Sequence, residues 1–471
     1  MRFPVIAKLA ALGLVALILG WALDRVTRVV AERAGRLQEA QRSIADSLAT
    51  AQSLLGPVLQ RNCTESWDVV SGEGKDRVAA TERRRFSVRV APSRLTMDGA
   101  VQMEPRYRGI FTVNGYLLKA TLTAEWADTR TLEPTRTRDG SNLACDPPVL
   151  WVAVSDARGL RDARVTVQDR DVAVSPGTSS SENAVGFRAT VPADALQAGK
   201  PLHATAVLDL AGTAGLALAP VGQSTRVNLN ADWPHPSFNG RFLPNVRTVT
   251  DTSFQATWQI GALASGASRE VVSGRTSCRP DVAAYTVTPG QNQAEACIET
   301  FGVNFIDPVN PYALSDRATK YGLLFIALTF VTIALVEVMR RLRVHPVQYL
   351  LVGAALVLFF LLLVSLSEHV PFAYAYLASS AACAALLTYY GVHVLHSLRG
   401  GLALGAGIAT LYGTLYVLLQ SEQNALVLGA LLLFAVLAAV MRVTRNVDWY
   451  EVIAQKRAER KAGMRGDAMG G

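Results

Sequence analysis

The sequence is poor in charge and lacks the common catalytic motifs. Only 18% of its 471 residues are charged, and it holds six His and five Cys. GxSxG, HExxH and the Walker loop, which position a nucleophile, a metal or a phosphate, are all absent. No CxxC pair or Cys/His cluster indicates a zinc site. The sequence therefore predicts a protein that is not an enzyme, with no catalytic, metal or cofactor residues.

Long apolar runs dominate the second half of the chain. Half of all residues are hydrophobic and the mean hydropathy is +0.23, whereas charge is concentrated between residues 24 and 318. A bilayer crossing needs about 20 apolar residues. Six segments fall within the usual range of about 17–25 residues: 5–23, 321–339, 349–366, 372–392, 402–419 and 425–441. This pattern predicts a six-span membrane protein with one large hydrophilic insertion.

Basic residues orient the predicted spans. They cluster at alternate connections, at Arg2 and Lys8, Arg340, Arg341 and Arg343, Arg399, and Arg442 and Arg445. Lys and Arg are enriched in cytoplasmic loops, so both termini are predicted to be cytoplasmic and the insertion periplasmic, as in a bacterial inner membrane protein. The same rule accounts for the net charge of +8, which therefore does not indicate nucleic-acid binding.

The periodicity of the sequence divides the chain into five regions. Two heptad rows of apolar residues follow the first span and predict a helix that ends at Gly56-Pro57. This helix either packs on its own domain or forms a dimer. Alternating segments such as "GYLLKATLTAEW" then predict a mainly antiparallel β-sandwich. The regions are a transmembrane anchor at 1–23, a juxtamembrane helix at 24–57, a periplasmic mainly-β domain at 58–318, a five-helix bundle at 319–441 and a basic cytoplasmic tail at 442–471.

The first span also resembles a signal peptide, because Gly20-Trp21-Ala22 follows its apolar core. The long apolar run and the helix that directly follows it favour an uncleaved anchor. The predicted fold class is therefore α+β: an anchor, a large mainly-β domain and a helical bundle.

Four of the five cysteines fall in the predicted periplasmic domain. An oxidising compartment favours disulfides, and four cysteines allow three pairings. We expect Cys278 to pair with Cys297, closing a long exposed loop at 262–295, which leaves Cys63 for Cys145.

The segment "DWPHPSFNGRFLP", residues 232–244, is rich in proline and aromatic residues. Its three prolines, Pro234, Pro236 and Pro244, exclude a regular strand or helix interior. Trp233, Phe238 and Phe242 either cover the bottom of the sandwich, which is the favoured interpretation, or form with His235 a docking surface for the membrane or another envelope protein.

Two Ser-Glu turns separate apolar runs, at Glu368 and Glu422. Each precedes the next predicted helix, where a carboxylate is favoured by the helix dipole. The alternative is that both glutamates and His369 converge as a proton or cation site.

Several long motifs resemble the CreD family of bacterial inner membrane proteins. They are "SDARGL" at 155–160, "WPHPSFNGRFLP" at 233–244, "VNFIDPVNPYALSDRATKYGLLFIALTF" at 303–330 and "HPVQYLLVGAALVLFFLLLVSLSEHVPFAYAY" at 345–376. The resemblance implies a role in cell-envelope integrity and in the response to envelope stress. It provides no catalytic residues, and it does not extend to the four cysteines.

Two main functional hypotheses follow. In the first, the chain is a non-enzymatic envelope protein whose periplasmic domain binds a partner, such as an envelope protein or peptidoglycan-related machinery, while the bilayer holds the helices. In the second, the bundle is a transporter or channel component that moves a lipid-like or small solute. A polar path through the helices would favour the second. The sequence does not predict an oligomeric state.

Overall fold

A computed structural model describes residues 5–71, 78–197, 199–278, 297–305, 310–339, 344–421 and 425–445. It divides into two units. We call residues 1–36 with 309–471 the helical unit, and residues 37–308 the β unit. The fold is α+β, with an apolar N-terminal helix, a mainly-β middle region and a C-terminal helical cluster.

The first helix is shorter than the sequence predicts. Helix α1 spans Val5–Ser47, and strand β1 begins at Gln52. Consecutive apolar residues after Gln52, including Leu54 and Leu55, are buried in the sandwich core. Adjacent residues of a strand point to opposite faces, and both Leu54 and Leu55 are buried. The predicted helix end at Gly56-Pro57 is therefore wrong, and Leu55 belongs to a core strand.

Seventeen described strands form two sheets that share one core. The first sheet runs in the order β14-β19-β12-β1-β6-β10-β9, with β2 and β5 also paired to β1. Its strands are β1 (Gln52–Ser71), β2 (Val78–Val90), β5 (Asn142–Cys145), β6 (Val149–Val154), β9 (Val174–Pro176), β10 (Gly186–Thr190), β12 (Gly215–Leu218), β14 (Pro236–Gly240) and β19 (Phe301–Phe305).

The second sheet runs in the order β15-β16-β13-β3-β4-β11-β7-β8. Its strands are β3 (Arg94–Arg108), β4 (Phe111–Trp126), β7 (Leu160–Val167), β8 (Arg170–Val172), β11 (Leu202–Thr213), β13 (Ser224–Ala231), β15 (Val246–Val249) and β16 (Phe254–Gly261). Most pairs are antiparallel, although β3 with β13 and β1 with β12 are parallel. Trp126, Trp151 and Trp258 are fully buried in the shared core.

Part of the loop expected at 262–295 is ordered against the core. Helix α2 spans Ala267–Val272 and buries Ala267 and Val271. Short strands β17 (Thr276–Ser277) and β18 (Cys297–Ile298) pair in parallel. The expectation of an exposed loop is therefore wrong for α2, while residues 279–296 lie outside the described part of the chain.

The helical unit contains α3 (Pro311–Lys320), α4 (Gly322–Met339), α5 (Pro346–Ser367), α6 (Phe372–Val394), α7 (Leu398–Gln420) and α8 (Ala425–Thr444). Four helices are long and apolar enough to cross a membrane by themselves: 10–47, α5, α6 and α7. The α3–α4 pair, bent by 43°, would be a fifth span, and 427–442 is a shorter apolar helix. Six spans therefore remain a prediction.

Small residues bring these helices close together. A Cβ atom added to Gly353 of α5 would lie 2.0 Å from a Leu19 methyl group of α1. One added to Gly405 of α7 would lie 1.9 Å from the Thr388 hydroxyl of α6. Glycine thus permits backbone approach at both contacts, as is common between membrane helices.

Candidate functional site

The proline-rich segment at 232–244 contains a regular strand, contrary to the prediction. Strand β14 begins at Pro236 and pairs with β19 at one end of the first sheet. Proline is tolerated as the first residue of an edge strand, because an edge has one side without ladder hydrogen bonds. The three prolines therefore do not prevent a strand from forming. They restrict that strand to an edge of the sheet.

The aromatic side chains of this segment are half-buried against the sandwich core. The Phe238 ring lies 5.6 Å from the Phe254 ring and 5.7 Å from that of Trp258. The indole N–H of Trp258 donates to the carbonyl of Phe242 at 3.2 Å. His235, in contrast, is exposed, and its carbonyl accepts from the Trp233 indole at 3.0 Å. These contacts hold the segment in place and leave part of its surface accessible.

A groove of about 400 Å³ lies between β14 and β15, the terminal strands of the two sheets. Residues 241–245 connect the two strands. The groove is lined by Pro234, His235, Pro236, Ser237, Phe238, Arg247 and Val249. The sandwich is therefore open at this corner, where predicted docking residues His235 and Phe238 meet Arg247 and Val249, which the sequence did not single out.

Strand β15 presents a free backbone edge beside the groove. All four of its residues are exposed, and its sheet partner within the described chain is β16. The Thr250 N–H donates to Ser253 on the β16 side. Because N–H directions alternate along an antiparallel strand, the amides of Arg247 and Val249 point away from β16.

The other sheet ends carry features that discourage further pairing. β8 has the sequence RDV, β9 ends in Pro176 and β14 starts with Pro236. Charge and proline are common protections of exposed edges. β15, with the sequence VRTV, has no proline and two exposed valines. Of the four strands that end the two strand orders, β15 is therefore the best suited to accept another strand, although β2 and β5, which pair only with β1, also have an unpaired edge.

The groove carries a positive charge on its β15 side, where Arg247 lines it. Arg247 takes part in none of the ion pairs found among the described residues. Nearby Arg241 pairs with Glu299 at 3.3 Å. A ligand with a carboxylate would therefore complement this surface better than a cationic one.

The structure bonds Cys63 to Cys145 and Cys278 to Cys297. The first bond joins the opposed residues of β1 and β5, and the second lies at the β17–β18 pair. Cys383 is buried in the helical unit, and its thiol donates to the Ala355 carbonyl at 3.4 Å.

Glu368 has different surroundings from those predicted. It is the C-cap residue of α5, and its side chain is only 10% exposed. The Arg33 guanidinium of α1 lies 3.5 Å away, and the Tyr312 hydroxyl of α3 donates to it at 3.4 Å. His369 is exposed and its ring contacts the Ser365 carbonyl, while Glu422 lies outside the described residues. The proposed convergence of all three groups is therefore not visible.

A second ion pair joins α1 to α4. Lys8 contacts Glu337, which also accepts a hydrogen bond from the Tyr349 hydroxyl at 3.0 Å. Arg340 and Arg341, which follow Glu337 one turn along the chain, lie outside the described residues. The partners are 329 positions apart, so no local pattern could indicate this contact.

The SDARGL motif forms a polar link within the β unit. The buried Gln52 amide donates to the carbonyls of Asp156 and Ala211 at 3.0 and 3.1 Å. A Cβ atom on Gly159 would lie 2.1 Å from the Ala211 oxygen and 2.4 Å from the Gln52 amide nitrogen. The Arg158 side chain, which also donates to the Asp46 carbonyl near the end of α1, lowers the pKa of Asp156 to about 2. The motif is therefore explained by packing.

Glu65 is a buried carboxylate without a role in the groove. Its oxygens accept from the Ser141 hydroxyl at 2.6 Å, the Thr137 hydroxyl at 2.6 Å and the Thr137 amide at 2.8 Å. Hydrogen bonds from the Ser141 and Thr137 side chains hold its pKa at about 2, below the usual range. Glu65 thereby fixes residues 137–141 to β1.

Within the described ranges, no group of three or more His, Cys, Asp or Glu residues could hold a metal ion.

Residues 4–450 match the family described as "Inner membrane protein CreD". The curated protein of that name from Escherichia coli (strain K12) is 32% identical over 452 residues, covering 96% of this chain and 95% of that protein.

Solved structures offer a much weaker likeness. Two crystal structures of an M1 zinc metallopeptidase from Deinococcus radiodurans, one with a bound Tyr-Ser-Ala substrate, share 13% and 14% identity with this chain. Each match covers 36% of this chain and 38% of the metallopeptidase chain, with TM-scores of 0.18 and 0.19. At this level they carry no argument about function.

Proposed function

Since this chain belongs to the CreD family of inner membrane proteins, we propose that it supports envelope integrity and the envelope-stress response as a non-enzymatic interaction protein. In this proposal the helices lie in the inner membrane with both termini cytoplasmic, and the β unit lies in the periplasm. The distribution of Lys and Arg supports this orientation. The two disulfides of the β unit also support it, because such bonds persist in oxidising compartments.

The observation that carries the proposal is the free β15 edge beside the groove. An extended peptide can add to an exposed strand through backbone hydrogen bonds, while its alternate side chains enter adjacent pockets. Arg247 and Val249 would supply the backbone groups, and the Phe238 wall would receive an apolar side chain. Arg247 favours an acidic residue in the same segment. We therefore propose that the partner is an envelope protein with an extended, acidic and apolar segment.

A photocrosslinking experiment in intact cells tests this function. A benzoylphenylalanine at Ser237, which lines the groove, should form a discrete protein adduct. The substitution Val249→Glu places a negative charge in the groove that repels the acidic residue of the segment, and it should reduce the adduct about tenfold, equivalent to ~1.4 kcal/mol of binding.

Val246→Glu is the matched control for this experiment. Val246 is 65% exposed on the same strand but does not line the groove, so its adduct yield should remain unchanged. If both glutamate variants formed the adduct as well as the parent protein, strand addition at β15 would be excluded.

A proton or cation path through the helices, which is one form of the transporter or channel hypothesis, is less well supported. Moving a cation or proton requires an ionisable group that is available to the solute. Glu337 and Glu368, however, each contact a cationic side chain and a tyrosine hydroxyl. These contacts support a structural role for both carboxylates.

A further inference from the structure

A cleft of about 280 Å³ lies in the helical unit, separate from the groove of the β unit. The C-terminal halves of α4 and α6 and the N-terminal halves of α5 and α7 form its walls. It is lined by Thr332, Ile333, Val336, Val344, Gln348, Tyr349, Val352, Tyr390, Gly391, Val394, Leu395, Gly400, Ala403 and Leu404. The cleft is therefore confined to one end of these four helices.

The lining has a buried apolar floor and an exposed mouth. Val344, Val352 and Gly391 are buried, whereas Thr332 and Ala403 are exposed. The two glycines at Gly391 and Gly400 add no side chain to the cleft. It therefore opens on the outer surface of a helical cluster that belongs to an inner membrane protein, where lipid tails are the surrounding solvent.

Several polar groups of the lining already have partners in the protein. The Thr332 hydroxyl donates to the Leu328 carbonyl at 2.8 Å, and the Tyr349 hydroxyl donates to Glu337. The Gln348 carbonyl oxygen accepts from the His345 amide at 2.9 Å. A buried water needs two to four polar partners, so this lining favours an alkyl group over ordered water.

We propose that the cleft is a binding site for one acyl chain of a membrane phospholipid. The chain enters between Thr332 and Ala403, and its end packs against the floor at Val352 and Gly391. The site is continuous with the bilayer surface of the helices, which supplies the occupant. This inference does not depend on the partner proposed for the β unit.

The test uses the full-length protein in phosphatidylcholine vesicles that contain a phosphatidylcholine with a diazirine at the end of one acyl chain. Peptide mapping after illumination should locate adducts on the floor, at Val352 or Gly391. The substitution Ala403→Phe fills the mouth and should abolish the floor adducts. Ala406→Phe, one turn along the same helix face exposed to lipid but outside the lining, should preserve them.

The outcomes distinguish an acyl chain bound inside the cleft from general contact between the helices and lipid. Adducts at exposed Leu351 and Leu402, with none on the floor, would overturn the proposal, as would equal floor labelling in both phenylalanine variants. Thr332→Phe closes the mouth from the opposite wall and replaces Ala403→Phe if that variant does not insert. Retained labelling of the floor in Thr332→Phe would likewise overturn the site.

Discussion

Arg33 of α1 and Glu368 at the end of α5 form an ion pair, with 3.5 Å between Nε and Oε1. The Tyr312 hydroxyl donates to the same carboxylate. Together with the contact between Lys8 and Glu337, this pair connects α1 to the other helices at two separated points. Glu368 thus has a structural explanation that does not involve transport.

We predict that Glu368→Gln leaves insertion, abundance and envelope phenotype nearly unchanged. The amide still accepts from Tyr312, and the Arg33 side chain is 38% exposed, so the lost ion pair should cost less than about 1 kcal/mol. A complementation assay with membrane abundance measured in parallel checks this. The control is Glu32→Gln, at a carboxylate on α1 that is 59% exposed. A well-inserted but inactive Glu368→Gln protein would instead support the transporter hypothesis.

Gly159→Ala should destabilise the β unit by about 3 kcal/mol, because its methyl group would overlap the Ala211 carbonyl and the Gln52 amide. Thermal unfolding of the detergent-solubilised chain, followed by near-ultraviolet circular dichroism, should show a lower midpoint. Gly261→Ala is the control, since no other described atom lies within 4 Å of the position that its methyl group would take. Equal midpoints for the two variants would show that the SDARGL packing is unimportant.

Acid should weaken the contribution of Glu65 to stability. Its pKa is about 2 in the folded protein and about 4.5 in the unfolded chain. The contribution is thus fully present above pH 4.5 and is lost as the pH falls towards 2. The midpoint difference between the parent protein and Glu65→Gln should therefore shrink over that range. A difference that stays constant between neutral pH and pH 2 would contradict this role.

The proposed topology has a direct test with reporter fusions. A fusion at Gly400, in the first turn of α7, should report a cytoplasmic location, because Arg399 lies at that end of the helix. A fusion at Ser421, after α7, should report a periplasmic location. Both reporters on the same side would eliminate the six-span arrangement.

Much of the fold could be predicted because it depends on local patterns. Alternating residues such as those of β4 predicted the sheets, and the long apolar runs predicted α5, α6 and α7. Helix boundaries were harder, since Leu55 fits a heptad row as well as a buried strand. Only the sandwich core, which requires both Leu54 and Leu55, decides between the two.

The candidate site was predicted only in part for a related reason. The unusual composition of 232–244 identified His235 and Phe238, but Arg247 and Val249 belong to an ordinary-looking strand. Their importance depends on β15 being the last strand of its sheet, which is a property of the strand order. The contact of Lys8 with Glu337 likewise depends on tertiary packing.

The most direct test of the central claim, that the β15 edge is the working surface, is complementation by the two glutamate variants in a strain that lacks this protein. Entry of a dye normally excluded by an intact envelope is the readout, with membrane abundance matched. We predict that Val246→Glu restores the barrier as the parent protein does, whereas Val249→Glu leaves it as permeable as in the deletion strain. Full restoration by an abundant Val249→Glu protein would contradict the account.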